Sequence, residues 1–163
     1  MEIPTQITRA GSGDAADILA LQKLSYLSEA EIYDDHELPP LTQTLEEIAE
    51  EMSGSVTLKL VAHGRIVGSV RARETDEVVR IGRLIVHPDF QGRGHGRRLL
   101  AAMEKEFPDA SCFELFTGHR SERNLHLYRS HGYADHHTEE LNSRVSLVYL
   151  RKQQGEGTRS DRP

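Results

Sequence analysis

The order of elements predicts a mixed α/β (α+β) fold, with a mostly antiparallel central sheet flanked by helices. Three observations predict it. Residues 56–86 read as three strands in an antiparallel meander. The apolar run Leu84, Ile85, Val86 leads through the glycine-rich "HPDFQGRGHGRR" into the helix-like "RRLLAAMEKEF", and a further strand, helix and strand follow. Finally, 163 residues with a hydrophobic fraction of 37% and a charged fraction of 28% suit one domain with a real core and a well-charged surface. The domain is expected over residues 1–152. The tail 153–163, with no apolar residue, is expected to be disordered.

The elements follow in order. "TQITRAG" alternates weakly and predicts a first strand. Over residues 14–33, Ile18, Leu21, Leu24 and Leu27 recur at steps of three and predict an amphipathic helix. Pro39 and Pro40 stop it and stiffen a loop. Thr44 with Glu47 forms a capping box for a short helix to about Met52, ended by Gly54. In the meander, Leu58, Leu60 and Ala62 alternate with polar positions, as do Ile66, Gly68 and Val70, and His63-Gly64 is the turn between the two strands. In the third strand Val79 and Ile81 share one parity and Leu84 and Val86 the other, which points to a β-bulge near Gly82-Arg83 or to burial on both faces. Leu99, Met103 and Phe107 mark the next helix, "CFELFTGH" the next strand, and "SERNLHLYRSHGY" a helix with Ser121 as N-cap and Gly132 as its stop. "RVSLVYLRK" closes the domain.

Charge and cysteine usage exclude several classes. The net charge of −6 disfavours nonspecific nucleic-acid binding and suits attraction of a cationic partner. No apolar run approaches the roughly 20 residues needed to span a bilayer, and the start has no signal-peptide pattern. The single cysteine, Cys112, rules out an internal disulfide and fits a reducing, cytoplasmic compartment. Among the nine histidines, His131, His136 and His137 invite a metal reading. His136 and His137 are neighbours that a strand would point to opposite sides, and Cys112 has no cysteine partner, so no metal site is expected.

A glycine loop between strand and helix lets an anion approach backbone N–H groups at the positive end of the helix. Three anion loops compete. A P-loop requires Gly-Lys-Ser/Thr at its end, where Gly96-Arg97-Arg98 stands. A dinucleotide fingerprint requires glycine at position 97, which is arginine. The pattern Gln-x-x-Gly-x-Gly is met by Gln91, Gly94 and Gly96.

With that loop and the later "SERNLHLYRSHGY", the chain resembles the GNAT superfamily of acyl-CoA-dependent N-acetyltransferases, as a small single-domain member of actinobacterial type. The resemblance runs from the first strand to the final one and implies splayed strands around a coenzyme A site. It implies that backbone groups of Leu84, Ile85 and Val86 pair with the pantetheine arm. Gln91, Gly92, Arg93, Gly94, His95, Gly96 and Arg97 would form the pyrophosphate loop, and Asn124 would bond the pantetheine region. Tyr128 would protonate the departing thiolate and Val86 or its neighbour would supply an oxyanion N–H. The implied reaction is acetyl transfer from acetyl-CoA to a primary amine, in a small molecule or a peptide, directly within a ternary complex. No metal, nucleic acid or membrane is implied, and exchange of strands between subunits allows a homodimer.

The chain departs from one family pattern: Arg80 stands where some relatives carry a strand glutamate. Glu74, Glu77, Glu114, His119, Asp34, Asp35, Glu37 and relayed water all remain open as the base. The acidic segment "YDDHELPPLTQ" offers Tyr33, Asp34 and Glu37 as acceptor-site residues. Plainer readings stand beside these: Tyr128 as a core residue beside Leu125, Asn124 serving the Ser121 helix end, Arg98 and the acidic segment as solvated surface. The competing function is a non-catalytic acyl-CoA-binding sensor or regulatory module.

Overall fold

The computed structural model describes residues 3–154. Seven strands form one sheet in the order β1-β2-β3-β4-β5-β7-β6. Strands β1 (Thr5–Arg9), β2 (Val56–Ala62), β3 (Arg65–Thr75) and β4 (Val78–Val86) make the antiparallel meander. Strands β5 (Cys112–Gly118), β7 (Ser146–Gln153) and β6 (Ala134–Glu140) make a second antiparallel group. The two groups meet where β4 and β5 run parallel, and they pair only over Val78–Cys112, Val79–Phe113 and Arg80–Glu114. Beyond that seam the strands diverge into a wedge.

Helices cover both faces. Helix α5 (His95–Lys105) packs on β2, β3 and β4 and buries Leu99, Leu100 and Met103, while α6 (Glu122–Ser130) buries Leu125 and Tyr128 against the same core. On the other face Ile18 of α1 (Ala15–Ser25) meets Ile48 and Met52 of α4 (Leu45–Ser53). Buried Gln22 of α1 donates to Pro40 O and to Gln43 Oε1, each at 2.9 Å, and accepts from Arg71 Nη2 at 3.0 Å, so one amide ties the helix to its neighbours and to the sheet. Among the described residues no helix is long and apolar enough to cross a membrane.

Local chemistry explains several elements. Thr44 Oγ1 accepts the Glu47 N–H and Glu47 returns a carboxylate oxygen to the Thr44 N–H, the expected capping box. His63 and Gly64 both have positive φ, 52° and 71°, the geometry of a two-residue hairpin turn. Residues Arg83 and Leu84 have no register partner between Ile85, opposite Ser69, and Gly82, opposite Arg71. The bulge thus falls one residue past the expected pair, and Arg83 takes φ +52° to make it. Gly132, at φ +97°, ends α6.

Other expectations are corrected. Residues 14–33 are two helices, because Tyr26 (φ −85°, ψ 0°) breaks α1 from α2 (Leu27–Tyr33). A strict three-residue step lags the helix by about 60° each time, so Ile18 and Leu21 are buried while Leu24 and Leu27 emerge into solvent. Pro39 and Pro40 open a short helix, α3 (Pro39–Thr42), at the two positions that need no N–H donor. β3 is buried on both faces from Val67 to Ala72, so its alternation is lost. Helix α5 begins two residues before the expected Arg97. Strand β6, all seven residues exposed, has no apolar alternation to announce it. A bulge between Asp135 and His137 brings His136 and His137 together rather than apart, with their Nδ1 atoms 2.7 Å apart. Gln153 lies in β7 and Gln154 Nε2 donates to the carbonyls of Phe107, Pro108 and Ala110; the rest of the expected tail is outside the described residues.

Candidate active site

The wedge between β4 and β5 opens into a cavity of about 210 Å3, roofed by α2 and α3 and by the segment leading into β7. The bulge and the inward face of α6 line it, and a glycine loop follows past the end of β4.

At the loop, His87 accepts the Asp89 N–H, and the chain turns through Gly92 (φ +76°) to Gly94 (φ +83°), which caps α5. A methyl group at either glycine would meet nothing within 4 Å, so internal packing does not demand glycine; the left-handed backbone does. Gly96 differs. It lies inside the helix, and a Cβ there would sit 3.3 Å from Leu127 Cδ2 of α6. The first intrahelical bond runs from the Arg98 N–H to Gly94 O, so the helix presents its positive end to the wedge mouth. His95 leads the helix, and its Nδ1 lies 3.0 Å from Arg98 Nη1. Arg97 donates to Ser130 Oγ at 2.6 Å and clamps α5 to α6, whereas Arg93 lies over the Phe90 ring. Gln91 turns inward: its Nε2 donates to Val86 O at 3.1 Å and its Oε1 accepts from Arg123.

On the strand, Leu84 lines the cavity, Ile85 is buried in the ladder with Ser69, and Val86 is half-buried beside the core. Opposite them, Tyr128 is buried and lines the cavity, with no side-chain hydrogen bond to another described residue. Burial, reinforced by Tyr26 and Glu29, holds its phenol well above the usual tyrosine range, so it keeps its proton at neutral pH. Asn124 Nδ2 donates to Glu29 Oε1 and to Thr117 Oγ1, each at 3.2 Å.

The carboxylate in the cavity is Glu29 of α2, which sequence reasoning missed. A hydrogen-bonded chain fixes it. The Arg120 N–H donates to Tyr33 Oη at 2.9 Å, Tyr33 Oη lies 2.8 Å from Ser121 Oγ, and Ser121 Oγ donates to Glu29 Oε2 at 2.6 Å. Because Tyr33 already accepts and Ser121 donates onward, the tyrosine hydroxyl must be the donor between them. Ser121 stands at the N-cap of α6 as expected, yet its side chain makes no cap bond and serves this chain instead. Burial raises the Tyr33 phenol despite its bonds to Ser121 and Arg120. The signal for Glu29 was its stripe: Tyr26, Glu29 and Tyr33 recur at steps of three and four on one helical face.

Tyr33 therefore lines the cavity as expected, while Asp34 and Glu37 do not. Asp34 is exposed, caps α2 with φ +50°, and offers its carbonyl to Arg144. Glu37 is exposed, and its N–H is bonded to Asp35 Oδ1, whose partner oxygen accepts from Asn142. None of these three acids lines the cavity. Glu114 is buried between Arg80 (3.5 Å) and Arg151 (2.7 Å), and His119 Nδ1 accepts the Ser146 N–H. Burial lifts the Cys112 thiol above its ordinary value, leaving it a poor nucleophile. Among the described residues no group of three or more His, Cys, Asp or Glu side chains is placed to hold a metal ion.

A mostly antiparallel sheet splayed at a parallel seam, with a glycine loop capping the helix beyond it, defines a class of fold built to admit an extended anionic ligand. The sequence profile of the acetyltransferase (GNAT) family matches residues 17–133, and the chain belongs to that family. The chain is 36% identical over 97 residues to aminoglycoside N(6')-acetyltransferase type 1 of Stenotrophomonas maltophilia, covering 54% of this chain and 61% of that protein. The chain spans between 34% and 61% of the length of the curated relatives it matches. Among solved structures, the ribosomal-protein-S18-alanine N-acetyltransferase of Escherichia coli superposes with a TM-score of 0.77 at 15% identity, over 94% of this chain and 97% of that one. The PaiA N-acetyltransferase of Thermoplasma acidophilum, solved with coenzyme A, gives 0.69 at 16% identity, over 93% and 99%.

Proposed function

We propose that this protein is an acetyl-CoA-dependent N-acetyltransferase that moves the acetyl group directly to a primary amine in a ternary complex. One observation carries the reading: the cavity holds a protonated phenol, Tyr128, and a carboxylate, Glu29, and the strand that lines it leads on to the glycine-capped N-terminus of α5. Loop N–H groups from Gly92 to Arg97 receive the pyrophosphate, and Leu84 to Val86 receive the pantetheine arm as an added strand. The donor's thioester then lies beside Tyr128. The relatives named for N-acetyl transfer, and the neighbour solved with coenzyme A, support the choice of donor.

The neutral amine attacks the thioester carbonyl carbon, a C–N bond forms, and the main-chain N–H of Val86 or its neighbour steadies the oxyanion. As the C–S bond breaks, Tyr128 donates its proton to the thiolate and the phenolate regains one from solvent. The proton shed by nitrogen passes to Glu29, directly or through water. Burial keeps the phenol protonated at neutral pH, so its proton is in place when the thiolate departs. We place the enzyme in the cytoplasm, where a buried lone thiol stays reduced.

Acetyl-CoA titration and a free-thiol release assay over a panel of amines test the reading. Tyr128→Phe is expected to lower turnover by about 100-fold or more while the acetyl-CoA dissociation constant moves less than about threefold. Unchanged turnover would remove Tyr128 from the mechanism. Binding without thiol release for any amine would favour a sensor, and no binding would end the reading.

A further inference from the structure

The cavity holds two charges that the fold leaves without a counter-ion. Glu29 accepts hydrogen bonds from Ser121 and Asn124, both neutral, and no cation among the described residues pairs with it. Arg83, projecting from the bulge, lines the same cavity; the neutral Tyr26 phenol lies beside its guanidinium, and its buried Nε has no hydrogen-bond partner. No carboxylate among the described residues is within ion-pair distance of Arg83, and Glu29 and Arg83 do not pair with each other. A partly buried charge left unpaired costs stability, and such a cost persists where a ligand relieves it.

A second cationic side chain reinforces the first. Arg71 of β3 is 3% exposed and lines a larger adjoining cavity that shares Ile81, Gly82 and Phe116 with the first. Glu51 lies 3.5 Å from its Nε, outside hydrogen-bond geometry, and its Nη1 has no partner. Arg71 and Arg83 are close enough for the charge of one to weigh on the other. The donor's phosphates do not answer this demand. The glycine loop lies beyond Val86, whereas Arg83 precedes the three residues that receive the pantetheine arm, so it faces the acceptor. Between the charges the walls are apolar, from Leu38, Pro40, Val145 and Leu147.

We infer that the acceptor is an amino acid with an apolar side chain: its ammonium enters at Glu29, its carboxylate docks on Arg83 with Arg71 behind, and its side chain lies against the apolar walls. The inference rests on the acetyltransferase reading and names the substrate class for it. Arginine beside a carboxylate makes charge-assisted, two-pronged hydrogen bonds, which an uncharged amide cannot match. Bare amines and polycationic sugars would leave the guanidinium unanswered.

The test has two arms. In thiol-release assays, leucine, methionine and phenylalanine are compared with their amides, with 3-methylbutylamine and with kanamycin. The best of the three amino acids is expected to exceed its own amide in kcat/KM by at least tenfold, and Arg83→Gln should bring that ratio to about one, with Arg83→Lys between. In calorimetric titrations of the coenzyme A-loaded protein, the N-acetyl amino acid should bind at least tenfold more tightly than the N-acetyl amide. Arg83→Gln should erase that preference. Glu29→Gln should weaken the free amino acid and spare its N-acetyl form, which has no ammonium. Equal use of acid and amide, a preference for kanamycin, or titrations blind to the carboxylate would overturn the inference. Failure of acetyl-CoA to bind would instead overturn the donor reading, and the carboxylate preference would still be judged by titrating the protein alone.

Discussion

Gly118→Ala attacks the cavity through one missing hydrogen. Gly118 ends β5, and the Tyr33 ring lies on it: a Cβ at this position would sit 2.5 Å from Tyr33 Cζ, 3.0 Å from Cε2, and closer still to the hydroxyl. The ring has no slack, because its hydroxyl is held by both Arg120 N–H and Ser121 Oγ. Relief requires Tyr33 to leave, which breaks both bonds and unseats the Ser121–Glu29 contact. Overpacking costs about 1–3 kcal/mol, and each lost hydrogen bond about 1 kcal/mol, so the variant should lose about 3 kcal/mol. For a chain of this size, about 2–4 °C per kcal/mol makes that a fall of about 6–12 °C in Tm by calorimetry. The control is Tyr33→Ala, in which the same glycine change should be nearly silent, leaving a coupling of about 2 kcal/mol or more in the double-mutant cycle. A Tm drop under about 2 °C in the wild-type background, or the same drop in both backgrounds, would show that Tyr33 is not the group the glycine accommodates.

Three further outcomes are expected. Gly94→Ala, forced to φ +83°, should weaken acetyl-CoA binding by about tenfold through loss of a left-handed backbone worth about 1 kcal/mol or more; titration checks it, and full affinity would mean the loop geometry is dispensable. Thr44→Ala removes one side of the capping box on α4, at a position that does not line the cavity, and should lower Tm by about 2–4 °C with kcat/KM unchanged. Burial holds His131 below its ordinary value of about 6.5 against the pull of Glu104, so the folded chain binds fewer protons there than the unfolded one. Its contribution to stability is complete above that value and fades as pH falls below it; His131→Gln should flatten this acid limb in denaturation measured from pH 7.5 to 5.

What could be read in advance divides along the reach of each interaction. The capping box at Thr44, the turn at His63-Gly64, the stop at Gly132 and the glycine loop are local devices, and each stands within a residue or two of its expected place. The bulge was legible because a parity change in a strand has few causes. Strand β6 was not, since an edge strand with both faces in solvent has no apolar pattern; pairing with β7, the stack of His137 on Tyr149 and the Arg129–Asp135 ion pair hold it. Glu29 was hidden for a related reason: a single acid on a helix resembles solvated surface until the fold brings Ser121, 92 residues away, to within 2.6 Å. The acidic loop stands apart from the cavity. Asp34, Asp35 and Glu37 looked like a receptor for cations, but none of them lines the cavity, and Asp35 accepts the Glu37 N–H of its own turn.

The three backbone pairs at the seam of β4 and β5 act as a hinge pin between two half-sheets. Past that pin, cohesion comes from side chains, such as Arg97 on Ser130 and the shared core of Leu99, Leu100, Leu125 and Tyr128, rather than from a ladder of backbone bonds. Whatever fills the wedge can touch both halves at once, and contacts to both would make its binding tighten the sheet. The affinity measured for such a ligand is then lower than its contacts alone would give, because part of the contact energy is consumed in quieting the halves. A second molecule arriving on the set structure would meet that cost already met, which favours an ordered sequence of arrival in which the wedge is filled first.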